Sequence, residues 1–186
     1  MMRRHRTAPF VTLGCLLAFG LALEAQQPPA RFGFGRAATP TEVAALDDDV
    51  RPDGAGLPDG SGTPAEGAAL FATRCASCHG RTGKEGPNDV LVGADPAQGF
   101  PFANDPRIPH TIGNYWPYAT TVFDYIRRAM PPTAPGSLSD AEVYSLTAFL
   151  LHANNLIAAD AVIDRRTLPT VVMPARSHFV VDQRKR

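Results

Sequence analysis

The pattern of apolar and polar positions along the chain favours helices in its middle part. Between residues 139 and 154 the apolar side chains fall on one helical stripe, which consists of Val143, Leu146, Phe149, Leu150 and Ala153. Ser139 and Glu142 stand at the start of this stripe with the spacing of a capping box, in which Ser139 is the N-cap. The pattern therefore predicts a helix from Ser139 to about Asn154.

Two further helices are predicted before this one. The first begins at Thr63, the N-cap of a second capping box, and ends near Cys75. The second runs from about Thr121 to Met130, where two consecutive prolines stop it. No stretch shows the convincing alternation of a β-strand, so the predicted fold is one small all-α domain over residues 63–155.

Both flanks of this domain lack helical periodicity. Residues 26–62 are predicted to form an extended arm with at most one short helix near Thr41–Leu46, and residues 156–186 form a C-terminal tail. Spaced apolar residues occur in both flanks: Phe32, Phe34, Val43 and Leu46, then Ile163, Leu168, Val171, Val172 and Phe179. Since these side chains are costly to leave in water, they are expected either to fold back over the small core or to contact a partner.

The N-terminus has the order of a secretory signal. Three arginines within the first six residues precede an apolar run from Phe10 to Leu23, which is shorter than the ~20 residues that span a bilayer. Cleavage is predicted after Ala25, which makes residues 1–25 a signal peptide and the mature protein periplasmic or secreted, with no stable membrane span. Lipidation at Cys15 and an uncleaved anchor are the alternatives.

Charge limits the class of partner. The chain carries 18 Lys plus Arg and 18 Asp plus Glu, and its basic residues are not concentrated in one stretch. A nucleic-acid-binding protein would need such a basic face, so no nucleic-acid partner is expected. The three basic residues 184–186 are interpreted as a solvated chain end.

Cys75-Ala76-Ser77-Cys78-His79 is the stretch with the most specific chemistry. Two thiols at this spacing can add to the vinyl groups of one haem, and the adjacent imidazole can bind the iron. Cys75 and Cys78 are therefore the predicted covalent attachment sites of one haem c, and His79 is the predicted axial ligand. A short disulfide, a redox-active pair and half of a zinc site are the alternatives. The zinc site lacks a second ligand pair at close spacing, and the redox pair lacks a preceding strand.

Further residues resemble class I cytochromes c between Thr63 and about Asn155. The resemblance is carried by the haem motif and by Gly67, Phe71, Gly86-Pro87, Leu91-Val92-Gly93, Met130-Pro131 and Phe149. It implies the class I cytochrome c fold, with three to five helices around one covalent haem, here with extended N- and C-terminal arms. In that family, the positions that Gly67, Phe71 and Phe149 match form the contact between the first and last helices.

A closer resemblance, over most of the mature chain, is to the monohaem cytochrome subunits of bacterial sulfite and sulfur dehydrogenases. It rests on residues 51–54, 60–63, 111–121, 126–131 and 167–169, and on Met173-Pro174. Some relatives carry two haem motifs, whereas this chain has one. The resemblance implies a molybdenum-containing dehydrogenase subunit as partner, and it favours contact of both flanks with that subunit.

The resemblance also ranks the remaining haem contacts. Met130, fifty-one residues after His79 and followed by proline, matches the methionine ligand of class I cytochromes. Met173, His110 and His152 are the other candidates for the sixth ligand. The carbonyl of Pro87 is implied as the hydrogen-bond acceptor of His79.

An aromatic cluster of Tyr115, Trp116 and Tyr118 follows in the chain. Trp116 and Tyr118 are predicted to donate to a haem propionate, and plain core packing is the alternative. Arg127 and Arg128 are further candidates for a propionate, with a solvated helix face as the competing interpretation.

Two functions of different class fit these residues. With both axial positions filled by protein, the haem transfers one electron at a time, from the dehydrogenase to a soluble cytochrome or an oxidase. This protein would then be no independent enzyme. A free-standing cytochrome with another donor, and a haem sensor or peroxidase with a displaceable sixth ligand, are the alternatives.

Overall fold

The computed structural model describes residues 33–93, 105 and 107–180, so the predicted signal peptide lies outside the described part. The described helices are α1 (Pro40–Ala44), α2 (Pro64–Arg74), α3 (Ala76–His79), α4 (Ala119–Ala129) and α5 (Asp140–Ala153). Two-residue strands β1 (Ser61–Gly62) and β2 (Ile163–Asp164) pair antiparallel. Two 3-10 helices follow, Leu168–Thr170 and Pro174–His178. The described chain divides into two units between Val43 and Ala44.

The two predicted capping boxes start α2 and α5. The Thr63 amide donates to the Glu66 carboxylate at 2.9 Å, and the Ser139 amide donates to the Glu142 carboxylate at 2.8 Å. In each case the cap hydroxyl accepts from the backbone N–H three residues later. Each box satisfies two backbone donors that a helix end leaves without partners, which explains why both helices begin where the sequence predicts.

Helix α4 begins two residues earlier than expected and ends at Ala129. Met130 is its C-cap and donates its N–H to the carbonyl of Ile126 at 3.1 Å. The two prolines that follow cannot continue the helix, because they lack the N–H that the helical pattern requires. The side chain of Met130 thus sits at a helix end.

Helices α2 and α5 cross at Gly67. A Cβ at this position would overlap the carbonyl oxygen of Ser145, so only glycine allows the two backbones to approach this closely. Next to the crossing, the rings of Phe71 and Phe149 pack with centroids 4.9 Å apart. This contact agrees with the interlocking of first and last helices that the resemblance implies.

The hydrophobic core extends beyond the helices at both ends. Val50 and Leu57, before α2, belong to it, as do Ile163, Leu168 and Met173 after α5. For Ile163 and Leu168 the expectation of contact with a partner is therefore wrong, and the alternative that they fold back over the core holds. The tail folds back over the domain because pairing of β1 with β2 brings residues 163–164 beside residues 61–62.

The pairing of β1 with β2 also departs from the expectation of a chain without strands. Each strand has two residues, too few to show an alternating pattern in the sequence. None of the described helices is both long and apolar enough to cross a membrane.

Candidate haem site

The Cys-x-x-Cys-His motif lies where α2 ends and α3 begins. Cys75 is at once the C-cap of α2 and the N-cap of α3, and its carbonyl accepts from the N–H groups of Cys78 at 3.1 Å and His79 at 3.0 Å. These bonds hold both thiols and the imidazole on a single turn. Gly80 ends that turn with a φ of 75°, a conformation that glycine adopts without strain. Cys75 and Cys78 are both free thiols.

An apolar crevice faces this turn. It consists of one cavity of about 160 Å³ next to Cys75 and Cys78 and a second of about 130 Å³ next to Trp116. Five residues line both cavities: His79, Leu91, Ile126, Met130 and Leu150. Both predicted axial ligands therefore border both cavities, and the predicted attachment residues border the first.

The buried setting of Cys75 changes its acidity. Desolvation by burial, followed by the neighbouring Cys78, raises the pKa of the Cys75 thiol to about 11. The thiol is consequently neutral near pH 7, which suits it to an apolar wall. In the attached state it would carry a thioether, which is neutral at any pH.

The loop after the motif corrects one prediction. His79 Nδ1 lies 2.9 Å from the carbonyl oxygen of Asp89, whereas Pro87, the predicted acceptor, is exposed to solvent. The loop can pass this close to the motif because residue 86 is a glycine: a Cβ there would overlap the Cys78 carbonyl oxygen. The Asn88 N–H donates to that same carbonyl at 3.0 Å. The carbonyl that faces the imidazole therefore belongs to Asp89, two residues after Pro87.

The two methionines of the described region have different surroundings. Met130 is partly buried and lines both cavities, together with His79. Met173 is 3 % exposed and packs in the hydrophobic core, and it lines neither cavity. Met130 is therefore the methionine whose thioether could serve as an axial ligand.

The candidate histidines also differ. His110 lines the second cavity and stacks on Tyr115 with ring centroids 3.9 Å apart. His152 lies in the last turn of α5 and bonds through Nδ1 to the Ile157 carbonyl at 3.2 Å, and it lines neither cavity.

The predicted propionate donors separate as well. Trp116 lines the second cavity and packs edge-on against Tyr125, with centroids 5.8 Å apart. Tyr118 lines neither cavity, and the Arg176 guanidinium lies 4.7 Å from the centre of its ring. Tyr118 thus belongs to the contact between the tail and the domain, because it lies directly before α4 and next to the returning chain.

Arg127 and Arg128 point to carboxylates of the protein. Arg127 pairs with Asp140 at 3.1 Å and also donates to the carbonyl of Asp48, and Arg128 pairs with Asp124 on the same helix. Asp124 in turn accepts from the Val50 N–H at 2.9 Å. This network joins α4 to the chain before α2, so both arginines are structural.

Several crevice residues were not identified in the sequence. Asp89 supplies the acceptor of His79, and Ile126, Leu150 and Tyr125 line the crevice. Ile126 and Leu150 have the helical spacing of ordinary core residues, which does not distinguish a cofactor wall from a core. Asp89 acts through its backbone, so its residue type carries no signal at all.

The donor set fits haem c. Two thiols on one turn, an imidazole with a bonded Nδ1 and a thioether border an apolar crevice, which is the combination that covalent attachment and Met/His ligation require. Among the described residues, no group of three or more His, Cys, Asp or Glu side chains is placed to hold a metal ion. The zinc alternative therefore has no ligand set in this part of the chain.

Comparisons with known proteins agree with this chemistry. The model of a family described as cytochrome c oxidase, cbb3-type, subunit III, matches residues 62–150. A chain in the crystal structure of the sulfane dehydrogenase SoxCD from Paracoccus pantotrophus is 44% identical, with a TM-score of 0.69 over 82% of this chain and 73% of that one. No curated protein sequence gives a significant match. The chain therefore belongs to the class I c-type cytochromes, which are electron-transfer proteins, and is similar to the cytochrome subunits of bacterial sulfur dehydrogenases.

Proposed function

We propose that this protein is a periplasmic electron carrier that holds one haem c through Cys75 and Cys78, with His79 and Met130 as axial ligands. The observation that supports this most is the shared crevice: His79 and Met130 line both of its cavities, and the two thiols line the first. The signal-like sequence of residues 1–25 supports the location.

Haem c, when bound, supplies an iron that alternates between the ferrous and ferric states. The protein sets the conditions for that change. The Asp89 carbonyl accepts from Nδ1 of His79, which leaves Nε2 as the nitrogen free to bind a metal and fixes the orientation of the ring. A thioether ligand at Met130 would favour the ferrous state, and the largely apolar walls would limit the contact of a bound haem with water.

The proposed electron donor is a molybdenum-containing sulfite or sulfur dehydrogenase subunit, and the proposed acceptor is a soluble cytochrome or an oxidase. The 44% identity to a chain of a sulfane dehydrogenase supports the link to sulfur oxidation. Three apolar side chains that precede the core in the chain are candidates for contact with such a subunit: Phe34, Val43 and Leu46 are 92%, 54% and 82% exposed. Large exposed apolar groups close together in the chain are typical of interaction segments.

Haem attachment is tested by the pyridine haemochrome spectrum of purified protein matured in a host that attaches haem c. The wild type should give the spectrum of one haem with two thioether bonds. A double change of Cys75→Ala and Cys78→Ala should abolish covalent haem, and His79→Ala should prevent stable holoprotein. Normal covalent haem in the double variant would contradict the proposal.

Ligation is tested by comparing two methionine variants. Met130→Ala should keep the haem attached, lower the reduction potential, and let carbon monoxide bind rapidly to the reduced protein. Met173→Ala is the matched control, because it removes the same side chain from a core position that lines neither cavity. If Met173→Ala opens the iron and Met130→Ala does not, the ligand assignment is wrong. Rapid carbon monoxide binding to the wild type would instead favour a sensor or peroxidase.

The partner is tested by co-expression with the dehydrogenase subunit of the same organism. The full chain should co-purify with it, and substrate oxidation by the complex should reduce the haem. A cytochrome that stays separate and is reduced by another donor would favour the free-standing carrier.

A further inference from the structure

The side chain of Asn154 joins three segments that carry the walls of the crevice. Asn154 is the C-cap of α5 and is 7 % exposed. Its Oδ1 accepts from the N–H groups of Gly93 and Gly113, each at 3.0 Å. Its Nδ2 donates to the carbonyls of Leu91 at 3.2 Å and Leu150 at 2.8 Å. All donors of this amide and both lone pairs of its oxygen are thus used.

The surrounding backbone leaves no room for a different arrangement. A Cβ at Gly113 would overlap the carbonyl oxygen of Gly93 and meet Oδ1 of Asn154. The Leu91 carbonyl also accepts from the Ile112 N–H at 3.1 Å, and Thr111 Oγ1 donates to the Gly93 carbonyl at 3.3 Å. The amide orientation is determined by this network, because the reverse orientation would set N–H against N–H and carbonyl against carbonyl.

The bonded backbone groups belong to crevice residues or to their neighbours. Leu91 and Leu150 line both cavities. Ile112 lines the second cavity; it precedes Gly113 in the chain and donates its N–H to the Leu91 carbonyl. The loop that ends at Leu91 also carries the Asp89 carbonyl, the acceptor of His79 Nδ1. Asn154 itself lines neither cavity, so any effect on the crevice passes through these residues.

We infer that Asn154 is a positioning residue that keeps the crevice closed around the axial ligands by fixing Leu91 and Ile112 against its walls. The inference rests on the proposed haem between His79 and Met130. The residue type matters at position 154, because a short side chain must donate two hydrogen bonds and accept two at one oxygen. Aspartate offers no donor. Glutamine is one methylene longer, and the space around Oδ1 is already tight, since a Cβ at Gly113 would overlap this oxygen.

The inference is tested on ferric holoprotein with imidazole as the external ligand, its binding rate measured by stopped-flow absorbance. Asn154→Ala should speed imidazole binding by about tenfold or more, since the loss of a buried hydrogen bond shifts an opening equilibrium by roughly that factor. The reduced protein should show a shifted Met130 methyl resonance, and amide hydrogens of Gly93 and Gly113 should exchange faster.

Tyr144→Phe is the control variant. It removes one buried hydrogen bond from α5, that of the hydroxyl to the Pro58 carbonyl at 2.9 Å, and Tyr144 lines neither cavity. It should lower the Tm and leave the imidazole rate and the methyl resonance unchanged. If Asn154→Ala also lowers only the Tm, the residue is merely structural and the inference is overturned.

Asn154→Asp provides a second variant if the alanine variant does not fold. It keeps the acceptor for Gly93 and Gly113 and loses both donor bonds, so it should also speed imidazole binding. A wild-type rate in folded Asn154→Asp would overturn the inference. Failure of the proposed function is recognised separately, as wild-type protein without covalent haem. The amide-exchange comparison then still decides whether Asn154 orders this junction.

Discussion

Residues 33–49 of the N-terminal arm and the C-terminal tail share a sequence pattern and differ in burial. Both carry spaced apolar residues without helical period. In the tail Ile163, Leu168 and Met173 are 3 %, 0% and 3 % exposed, whereas every residue from 33 to 49 is exposed, Phe34 to 92% and Leu46 to 82%. The arm enters the core only at its second half, through Val50 and Leu57. A flank without periodicity can therefore supply part of a core, and composition does not decide which segments of a flank will do so.

The difference follows from what each flank bonds to. The tail pairs with residues 61–62, and Asp164 Oδ1 accepts from the N–H groups of Arg166 at 2.7 Å and Thr167 at 2.9 Å, which turns the chain so that Leu168 enters the core. The bonds around α1 are local: Arg36 pairs with Glu42, and Glu42 caps the helix through Thr39. Local bonds order a short helix but bury no apolar side chain.

Deleting residues 159–186 should have the largest effect. It removes Ile163, Leu168 and Met173, each worth about 2–5 kcal/mol by comparison with other buried large side chains, from a domain whose total stability is about 5–15 kcal/mol. The truncated protein should therefore unfold or lose haem during purification, as measured by thermal unfolding and the visible spectrum. A truncated protein with wild-type Tm and haem content would show that the tail is dispensable to the core.

Leu168→Ala should be the next largest change. Leu168 is fully buried, so the free energy of unfolding should fall by about 2–5 kcal/mol in urea titrations. Val172→Ala is the matched control in the same segment, since Val172 is 83% exposed and its change should stay within about 0.5 kcal/mol. Equal effects of the two variants would contradict the burial pattern of the tail.

Changes at exposed residues of the arm should leave the free energy of unfolding unchanged and weaken binding of the partner subunit. The double variant Phe34→Ala and Leu46→Ala should keep the free energy of unfolding within about 0.5 kcal/mol, because both side chains are exposed. Its co-purification with the dehydrogenase subunit should weaken. Wild-type association of this variant would remove the arm from the proposed interface.

The smallest effect is expected at Glu42. The Arg36 guanidinium, followed by the bonds from Thr39, lowers the pKa of this carboxyl from 4.5 to about 2. A lowered pKa means that the stabilisation of α1 is present above about pH 4.5 and is lost as the pH falls towards 2. Because the pair is fully exposed, salt should weaken it. An NMR titration of the Glu42 carboxyl carbon measures the pKa, and Arg36→Gln should return it towards 4.5.

Local signals predicted the parts of the fold that local chemistry decides. The capping boxes at Thr63 and Ser139 set helix starts, because a cap satisfies backbone donors within three residues of itself. The Cys75–His79 motif is equally local, since all its groups occupy one turn. The close contact of α2 and α5 at Gly67 was predicted from the family resemblance and not from the spacing of residues in the sequence.

Loop paths were harder to predict, and the errors lie there. The acceptor of His79 is Asp89 and not Pro87, because the course of the loop depends on how closely Gly86 passes the motif. Tyr118 faces Arg176 and not the crevice, since the position of the tail determines its neighbour. Both contacts depend on the path of a loop or of the tail in the folded protein, which local sequence signals do not encode.

By itself the sequence determined the starts of α2 and α5, the stop of α4 at the two prolines, the Cys75–His79 motif and the family. Those features depend on residues within about one helical turn of each other, or on motifs kept together in the chain. The resemblance preferred Met130 over Met173, and the tertiary structure shows why: Met130 borders the crevice and Met173 lies in the core, although each is followed by proline. It also decided that part of the tail enters the core while residues 33–49 stay exposed, because burial depends on which distant surface a segment meets.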